Sequence, residues 1–141
     1  MRIGLVNGCF DLLHIGHVEF LKEARKWCDQ LVIGVNDDSS CRRLKGTRRP
    51  FYPLARRERD VRPYADFVVS FSGDVRYLIG ACGPHILIRG WDQQWTDPKK
   101  PHSVHTQIQL PKFGNVSTTR IANGLEIQPR DAGCVPSDEG C

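Results

Sequence analysis

Asn7-Gly-Cys-Phe-Asp-Leu-Leu-His-Ile-Gly-His17 is the stretch that decides how this chain folds. Ahead of it, Arg2-Ile-Gly-Leu-Val-Asn-Gly8 is a short apolar run closed by glycine, the pattern of a strand buried on both faces. Behind it, Val18, Leu21, Ala24, Arg25 and Cys28 fall near helical spacing, with Glu19, Lys22, Glu23 and Lys26 between them. The quoted residues therefore join a first strand to a first helix. His14 and His17, three apart at a helix start, lie on one face. Unpaired backbone N–H groups and the positive end of the helix dipole favour an anion there. Gly16 between them removes a side chain where a planar or ribosyl group approaches the backbone. These features make a pocket for a phosphate that gains charge during reaction. The competing readings are a metal site, for which no third ligand is close in sequence, and a pair of satisfied core histidines.

Outward from this joint, Leu31-Val-Ile-Gly-Val-Asn36 reads as a second buried strand. The basic stretch Arg42–Pro50, with its Gly, Thr and Pro, reads as a mobile loop. Pro53 suits the first turn of a helix over Leu54–Val61, and Pro63 stops it. Phe67–Phe71 is a third strand, Asp74–Ala81 a helix capped by Asp74, and Gly83-Pro84 turns into a fourth strand over His85–Arg89. Gln107–Leu110 is a fifth strand, and Ser117-Thr-Thr119 opens a short last helix. Strands alternating with helices imply parallel pairing and right-handed crossovers. The expected fold is α/β: a Rossmann-like doubly wound parallel sheet of about five strands in a single domain, with ligands at the carboxyl ends of the strands. That domain is expected over residues 1–127, with 128–141 a flexible tail.

The 141 residues suit one compact core. Hydrophobic residues at 40% and charged residues at 26% exclude a disordered chain, and no apolar run has the length of a membrane span. Nor does Met1–Gly8 read as a secretion signal, so a cytoplasmic protein is expected. The six cysteines form no C-x-x-C pair and no zinc-like spacing, which points to reduced thiols. Twenty basic against 16 acidic residues leave +4, compatible with an anionic ligand. Much of the excess crowds into Arg42–Arg62, either as a solvated face or as a surface for polyphosphate or nucleic acid. Few aromatics interleave with these arginines, so nucleic acid ranks last.

His14-Ile-Gly-His17 resembles the HxGH motif of the nucleotidyltransferase superfamily, and Gly8–Val18 as a whole resembles its cytidylyltransferase-like branch. Within that branch the chain is most similar to heptose 1-phosphate adenylyltransferases. Val35-Asn-Asp-Asp-Ser-Ser40, Arg43-Leu-Lys-Gly-Thr-Arg-Arg-Pro50, Asp66–Phe71, Pro84–Gly90 and Ser117–Thr119 carry the likeness, which spans about residues 3–122. Glycerol-3-phosphate cytidylyltransferases share the first and last of these motifs.

The resemblance implies transfer of a nucleoside monophosphate, most simply from ATP, to a heptose-type sugar 1-phosphate, with pyrophosphate leaving. Cytidylyl transfer from CTP to glycerol 3-phosphate or a related polyol phosphate is the alternative; a catalytically silent nucleotide sensor is the alternative of another class. In this frame His14, His17 and Lys45 are catalytic, donating to the phosphates as charge moves to the leaving group, with the triphosphate favouring protonated imidazoles. Gly8, Cys9, Phe10, Gly16, Arg49, Arg57, Lys112, Ser117, Thr118 and Thr119 are expected at the nucleotide and its phosphates, with Arg48 as a weaker helper. Asp11, Arg89, Gly90, Trp91 and Asp92 are expected at the base and acceptor, Asp11 against the acceptor or a magnesium-bound group. Magnesium is implied with the triphosphate supplying most of its ligands and no protein metal site. The resemblance also leaves room for a homodimer. The chain departs from it in two places: a segment Arg57–Asp66 about two residues short, and a shortened stretch from Asp92 to Ser117.

Overall fold

A computed structural model describes residues 1–91, 103–104 and 106–113. Along these the chain forms β1 (Ile3–Gly8), α1 (Ile15–Arg25), β2 (Gln30–Asn36), α2 (Asp38–Lys45), α3 (Leu54–Val61), β3 (Phe67–Phe71), α4 (Val75–Cys82), β4 (Ile86–Arg89) and β5 (Thr106–Gln109), with a 3-10 turn at Arg62–Tyr64. All strand pairs are parallel, in the order β3-β2-β1-β4-β5. This is the doubly wound Rossmann-like sheet that the alternation of strands and helices predicts. The order runs outward from β1 to β3 and then restarts on the other side of β1. The reversal leaves a crevice at the carboxyl ends of β1 and β4.

Period-two alternation divides the apolar residues between two layers. Val6, Ile33, Val35, Ile86 and Ile88 face one side, where Val18, Leu21 and Ala24 of α1 and Val61 of α3 cover them. Leu5, Val32 and Leu87 face the other, under Leu78 and Ile79 of α4. With both faces covered, β1, β2 and β4 need the near-continuous apolar sequences they have. No helix among the described residues is long and apolar enough to cross a membrane.

Three local expectations are corrected. The stretch expected as a loop from Arg42 begins inside a helix, because Asp37 caps α2 by accepting from the Ser40 N–H at 2.8 Å, and helix then persists to Lys45. Gly46, at φ 109°, ends it in a conformation other residues avoid. Pro53 is the N-cap of α3 rather than part of its first turn, and Pro63 lies within the 3-10 turn, which extends the helix before ending it. Cys9, Cys28, Cys41 and Cys82 are free thiols, as their spacing suggested. The last helix and the tail expected beyond Ser117 lie outside the described residues.

Arg57 is also corrected, from a phosphate contact to a structural hub. Its side chain is fully buried. Nε donates to the Tyr52 carbonyl at 2.9 Å, Nη1 to the carbonyls of Cys9 and Asn36 at 2.8 Å each, and Nη2 to Asp38 Oδ1 at 2.7 Å. Nη1 also lies 3.3 Å from Cys41 Sγ. One guanidinium thus ties the exits of β1 and β2 to the start of α2 and to the chain entering α3. The planar fork reaches several acceptors at once, two of them buried carbonyls, which an ammonium would do less completely. Replacing Arg57 by Met should cost roughly 3 kcal/mol or more in urea unfolding, since several buried acceptors lose their donor at once, and Arg57→Lys should restore little of it. A loss below about 1 kcal/mol, the worth of one ordinary hydrogen bond, would show that the strand exits hold together without it.

Candidate active site

The crevice at the reversal of strand order holds a cavity of about 550 Å³. Its floor comes from the β1–α1 joint, one wall from the end of α2 and the turn after it, and the other from Gly90, Trp91 and Pro111–Phe113. Within the joint, Phe10 and Leu12 take φ of 51° and 56°, a left-handed backbone rarely adopted by bulky residues. Strain of this kind persists where packing over-determines it. Both side chains are buried here, and the Phe10 ring meets the His17 ring edge-on at 5.8 Å.

His14 is the N-cap of α1. Its Nδ1 accepts the backbone N–H of Gly16 at 3.1 Å and of His17 at 3.4 Å, while His17 Nδ1 accepts the backbone N–H of His14 at 3.3 Å. This is a capping box built from two imidazoles. A ring nitrogen that accepts a hydrogen bond carries no proton, so both rings are the neutral Nε2–H tautomer. They stack at 3.8 Å between centroids and 22° between planes. Burial lowers the His14 pKa to about 4. His17 is held well below its ordinary value by burial, then by the neighbouring His14 and by Lys45. The protonated imidazoles expected with triphosphate are thus not those of the unliganded protein, which offers two neutral donors. The open helix N–H groups expected at this turn are corrected as well: two of them are occupied by His14, and the ring passes their polarity on to its Nε2–H.

Gly16 is needed for a reason other than ligand approach. A Cβ there would lie 2.8 Å from the Phe113 carbonyl oxygen and 2.9 Å from His14 Cε1. The chain itself fills the space that the glycine leaves.

Asp11 is buried and accepts the N–H of Phe51 at 2.7 Å, the N–H of Tyr52 at 3.1 Å and Arg49 Nε at 3.3 Å. Its carboxylate therefore holds the turn after α2 against the cavity floor while itself lining the cavity. Arg49 also lies over the Phe51 ring at 4.7 Å. Lys45, the last residue of α2, is exposed on the cavity wall. Arg89, at the end of β4, is buried and off the cavity wall, where burial lowers its pKa. The Cys41 thiol is kept protonated by its hydrogen bond with Cys9 and by burial, so it is no nucleophile.

Of the residues singled out in the sequence, the fold brings Gly8, Cys9, Phe10, Asp11, His14, Gly16, His17, Lys45, Arg49, Gly90, Trp91 and Lys112 around one cavity. Arg57 and Arg89 stand outside it, and exposed Arg48 does not line it. Asp92, Ser117, Thr118 and Thr119 lie outside the described residues. Sequence reasoning missed Asn7, Phe20, Cys41, Leu44, Pro50, Pro111 and Phe113. Leu44 would have been found by recognising α2, whose final turn it shares with Lys45. The others carry no local signal.

A model of the cytidylyltransferase-like family matches residues 5–122. The bifunctional protein HldE of Acidiphilium cryptum is 51% identical over 94 residues, covering 64% of this chain and 19% of the relative. HldE of Proteus mirabilis is 39% identical over 132 residues, covering 89% of this chain and 28% of the relative. The chain thus spans between a fifth and a little over a quarter of the length of these curated relatives. A crystal structure of the lipopolysaccharide core biosynthesis protein from Thermoplasma volcanium superposes with a TM-score of 0.70 at 27% identity, over 81% of this chain and 99% of that one. The chain belongs to the cytidylyltransferase-like family of nucleotidyltransferases.

Proposed function

We propose that this protein transfers an adenylyl group from ATP to a heptose-type sugar 1-phosphate and releases pyrophosphate. The observation that carries the reading is the pair of neutral, stacked imidazoles whose Nδ1 atoms are tied to backbone, leaving both Nε2–H donors for a ligand beside Lys45. An oxygen of the acceptor phosphate attacks the α-phosphorus, and the bond from that phosphorus to the oxygen bridging toward the β-phosphate breaks. The acceptor oxygen is already ionised near neutrality, so no general base is required. The problem for the protein is electrostatic: two anions must be aligned, and charge arriving on the leaving pyrophosphate must be met by fixed donors. His14 and His17 meet it as preorganised dipoles, and Lys45 as a point charge. The similarity to HldE proteins and to a lipopolysaccharide core biosynthesis protein supports a sugar phosphate over a polyol phosphate as acceptor.

Magnesium enters this reading as an ion carried by the triphosphate. Among the described residues no group of three His, Cys, Asp or Glu side chains could hold a metal, and the buried Asp11 carboxylate is occupied by backbone N–H groups and Arg49. No step is routed through the ion. A cytoplasmic setting belongs to the same proposal, because its donor is a nucleoside triphosphate.

Pyrophosphate release should be measured with ATP and with CTP, each against heptose 1-phosphate and glycerol 3-phosphate. Turnover is expected with ATP and heptose 1-phosphate. Turnover with CTP and glycerol 3-phosphate alone would make the protein a cytidylyltransferase, and nucleotide binding without product from any pair would make it a sensor.

His17→Ala should lower kcat by about 100-fold to 1,000-fold, the usual cost of removing one preorganised donor, and should cost only about 0.5–2 kcal/mol of stability, because it also removes half of the reciprocal helix cap. Activity near that of the wild type would overturn the catalytic assignment. Lys45→Ala should likewise slow turnover without affecting melting, because its side chain is exposed.

Long-range proton–nitrogen NMR at pH 7 should show both imidazoles as Nε2–H tautomers, with His14 gaining a proton only near pH 4. Because the His14 pKa is lowered from 6.5 on folding, the unfolded chain takes up its proton first. The contribution to stability is therefore complete above about pH 6.5 and declines as pH falls toward 4. A charged or Nδ1–H imidazole at pH 7 would contradict the donor geometry.

A further inference from the structure

Two sulfur atoms meet where the cavity floor joins the α2 wall, and the proposed transfer uses neither. Cys9 directly follows β1, Cys41 stands midway along α2, and both line the cavity. Arg57 brings them together: its Nη1 donates to the Cys9 carbonyl at 2.8 Å and lies 3.3 Å from Cys41 Sγ. Cys41 Sγ also lies 3.7 Å from the carbonyl of Asn36, the β2 residue just past the pairing of Gly8 with Val35. The α2 sulfur is thus held level with Cys9 across the two strand exits, where Cys41 donates its S–H to the Cys9 sulfur. The other described cysteines lie elsewhere. Cys28 is against Gly4 at the start of β1, and Cys82 packs in the layer of Leu78 and Ile79.

We propose that Cys9 and Cys41 form a two-thiol oxidation site, at which a small hydroperoxide converts the pair to a disulfide that ties α2 to the exit of β1 and slows turnover. Cys9 is 8% exposed and Cys41 fully buried, so the oxidant must be small and meets Cys9 first. The Cys9 sulfur attacks one peroxide oxygen, the O–O bond breaks, and the Cys9 proton ends on the departing oxygen. This leaves a sulfenic acid. Cys41 Sγ then bonds to Cys9 Sγ, the S–O bond breaks, and the departing hydroxide takes the Cys41 proton and leaves as water. Two electrons have passed from the sulfurs to the peroxide. The reduced Cys41 thiol is inert toward outside reagents, but here its target is a sulfenic sulfur already in contact, and the departing hydroxide is the base. A covalent bond is shorter than the hydrogen bond it replaces, so α2 and the β1 exit must close on each other. Lys45, one helical turn after Cys41, moves with α2. The disulfide stands apart from any reaction; its effect on turnover rests on reading the cavity as a nucleotidyl-transfer site.

Two measurements test it on the full chain. The first needs no turnover: the folded protein is treated with hydrogen peroxide, remaining thiols are blocked with iodoacetamide, and the disulfides are mapped by mass spectrometry. Trypsin together with an aspartate-specific protease separates Cys28 from Cys41. A peptide pair joining Cys9 to Cys41 should be the main cross-linked product. The second is the rate of pyrophosphate release before oxidation, after it, and after dithiothreitol. Oxidation should slow turnover by about 100-fold, the cost of displacing a positioned group by about 1 Å, and dithiothreitol should restore most of the rate. In Cys41→Val the sulfenic acid has no partner and goes on to sulfinic acid, so dithiothreitol should restore little of the activity that variant had before oxidation.

Cys9 found paired with another cysteine, or left unpaired while Cys41 stays a thiol, would overturn the proposal. So would a cross-linked protein that turns over as fast as the reduced one, or a Cys41→Val variant that recovers as fully as the wild type. If no donor and acceptor pair releases pyrophosphate, the transfer reading fails, while the disulfide map still decides whether these two thiols form an oxidation site.

Discussion

At the first turn of α1, two backbone N–H groups point into the His14 ring and the His14 N–H points into the ring of His17. This reciprocal cap satisfies three donors that a helix start leaves open. It also sets the tautomer of both rings, and so decides which nitrogen atoms face the cavity. Stacking of the rings follows from their three-residue spacing on one helical face. Once they are stacked and buried, a positive charge on either ring is disfavoured by desolvation and, for His17, by its neighbours. The helix end thus presents imidazole N–H donors rather than open amide groups. Fixed dipoles of this kind need no reorganisation when charge develops on a phosphate.

The charged residues around this cap divide into those that build the crevice and those that face it. Arg57 belongs to the first group, and Asp11 joins it while also lining the cavity. Asp11 draws the turn after α2 inward through two backbone N–H groups, and Arg57 holds the exits of β1 and β2 through their carbonyls. Together they bring Arg49 and the end of α2 beside the histidines. Lys45, Arg49 and Lys112 form the second group, and they leave the cavity lining with more positive than negative charge. A site for two phosphate-bearing substrates requires that imbalance, because the substrates repel each other before they react.

Much of this was legible from the first eighteen residues. A short apolar run, a glycine exit and helical spacing after His17 specify a strand, a turn and a helix, and their repetition along the chain specifies the parallel sheet. The histidine pair could be placed at a helix start because three-residue spacing is a local property. Lys45 and Arg49 were found through likeness to a known motif, although the helix that carries Lys45 was not. At eight residues with two buried side chains, α2 has too little intrinsic preference to be recognised, and its capping and packing make it helical.

The sequence by itself determined the order of strands and helices, the layered core and the position of the imidazoles at the first crossover, since each depends on residues within a few positions of one another. Only the tertiary structure decided which charges face the ligand and which are sealed into the fold. Asp11 meets its partner Phe51 across 40 residues, and Arg57 meets Cys9 across 48. The space beside Gly16 is likewise filled by the carbonyl of Phe113, from the segment after β5 almost 100 positions along the chain. Charge and periodicity in one segment do not record which distant backbone group will satisfy it. In a buried site that partner, more than the residue's own chemistry, settles whether an arginine or aspartate binds substrate or holds the chain together.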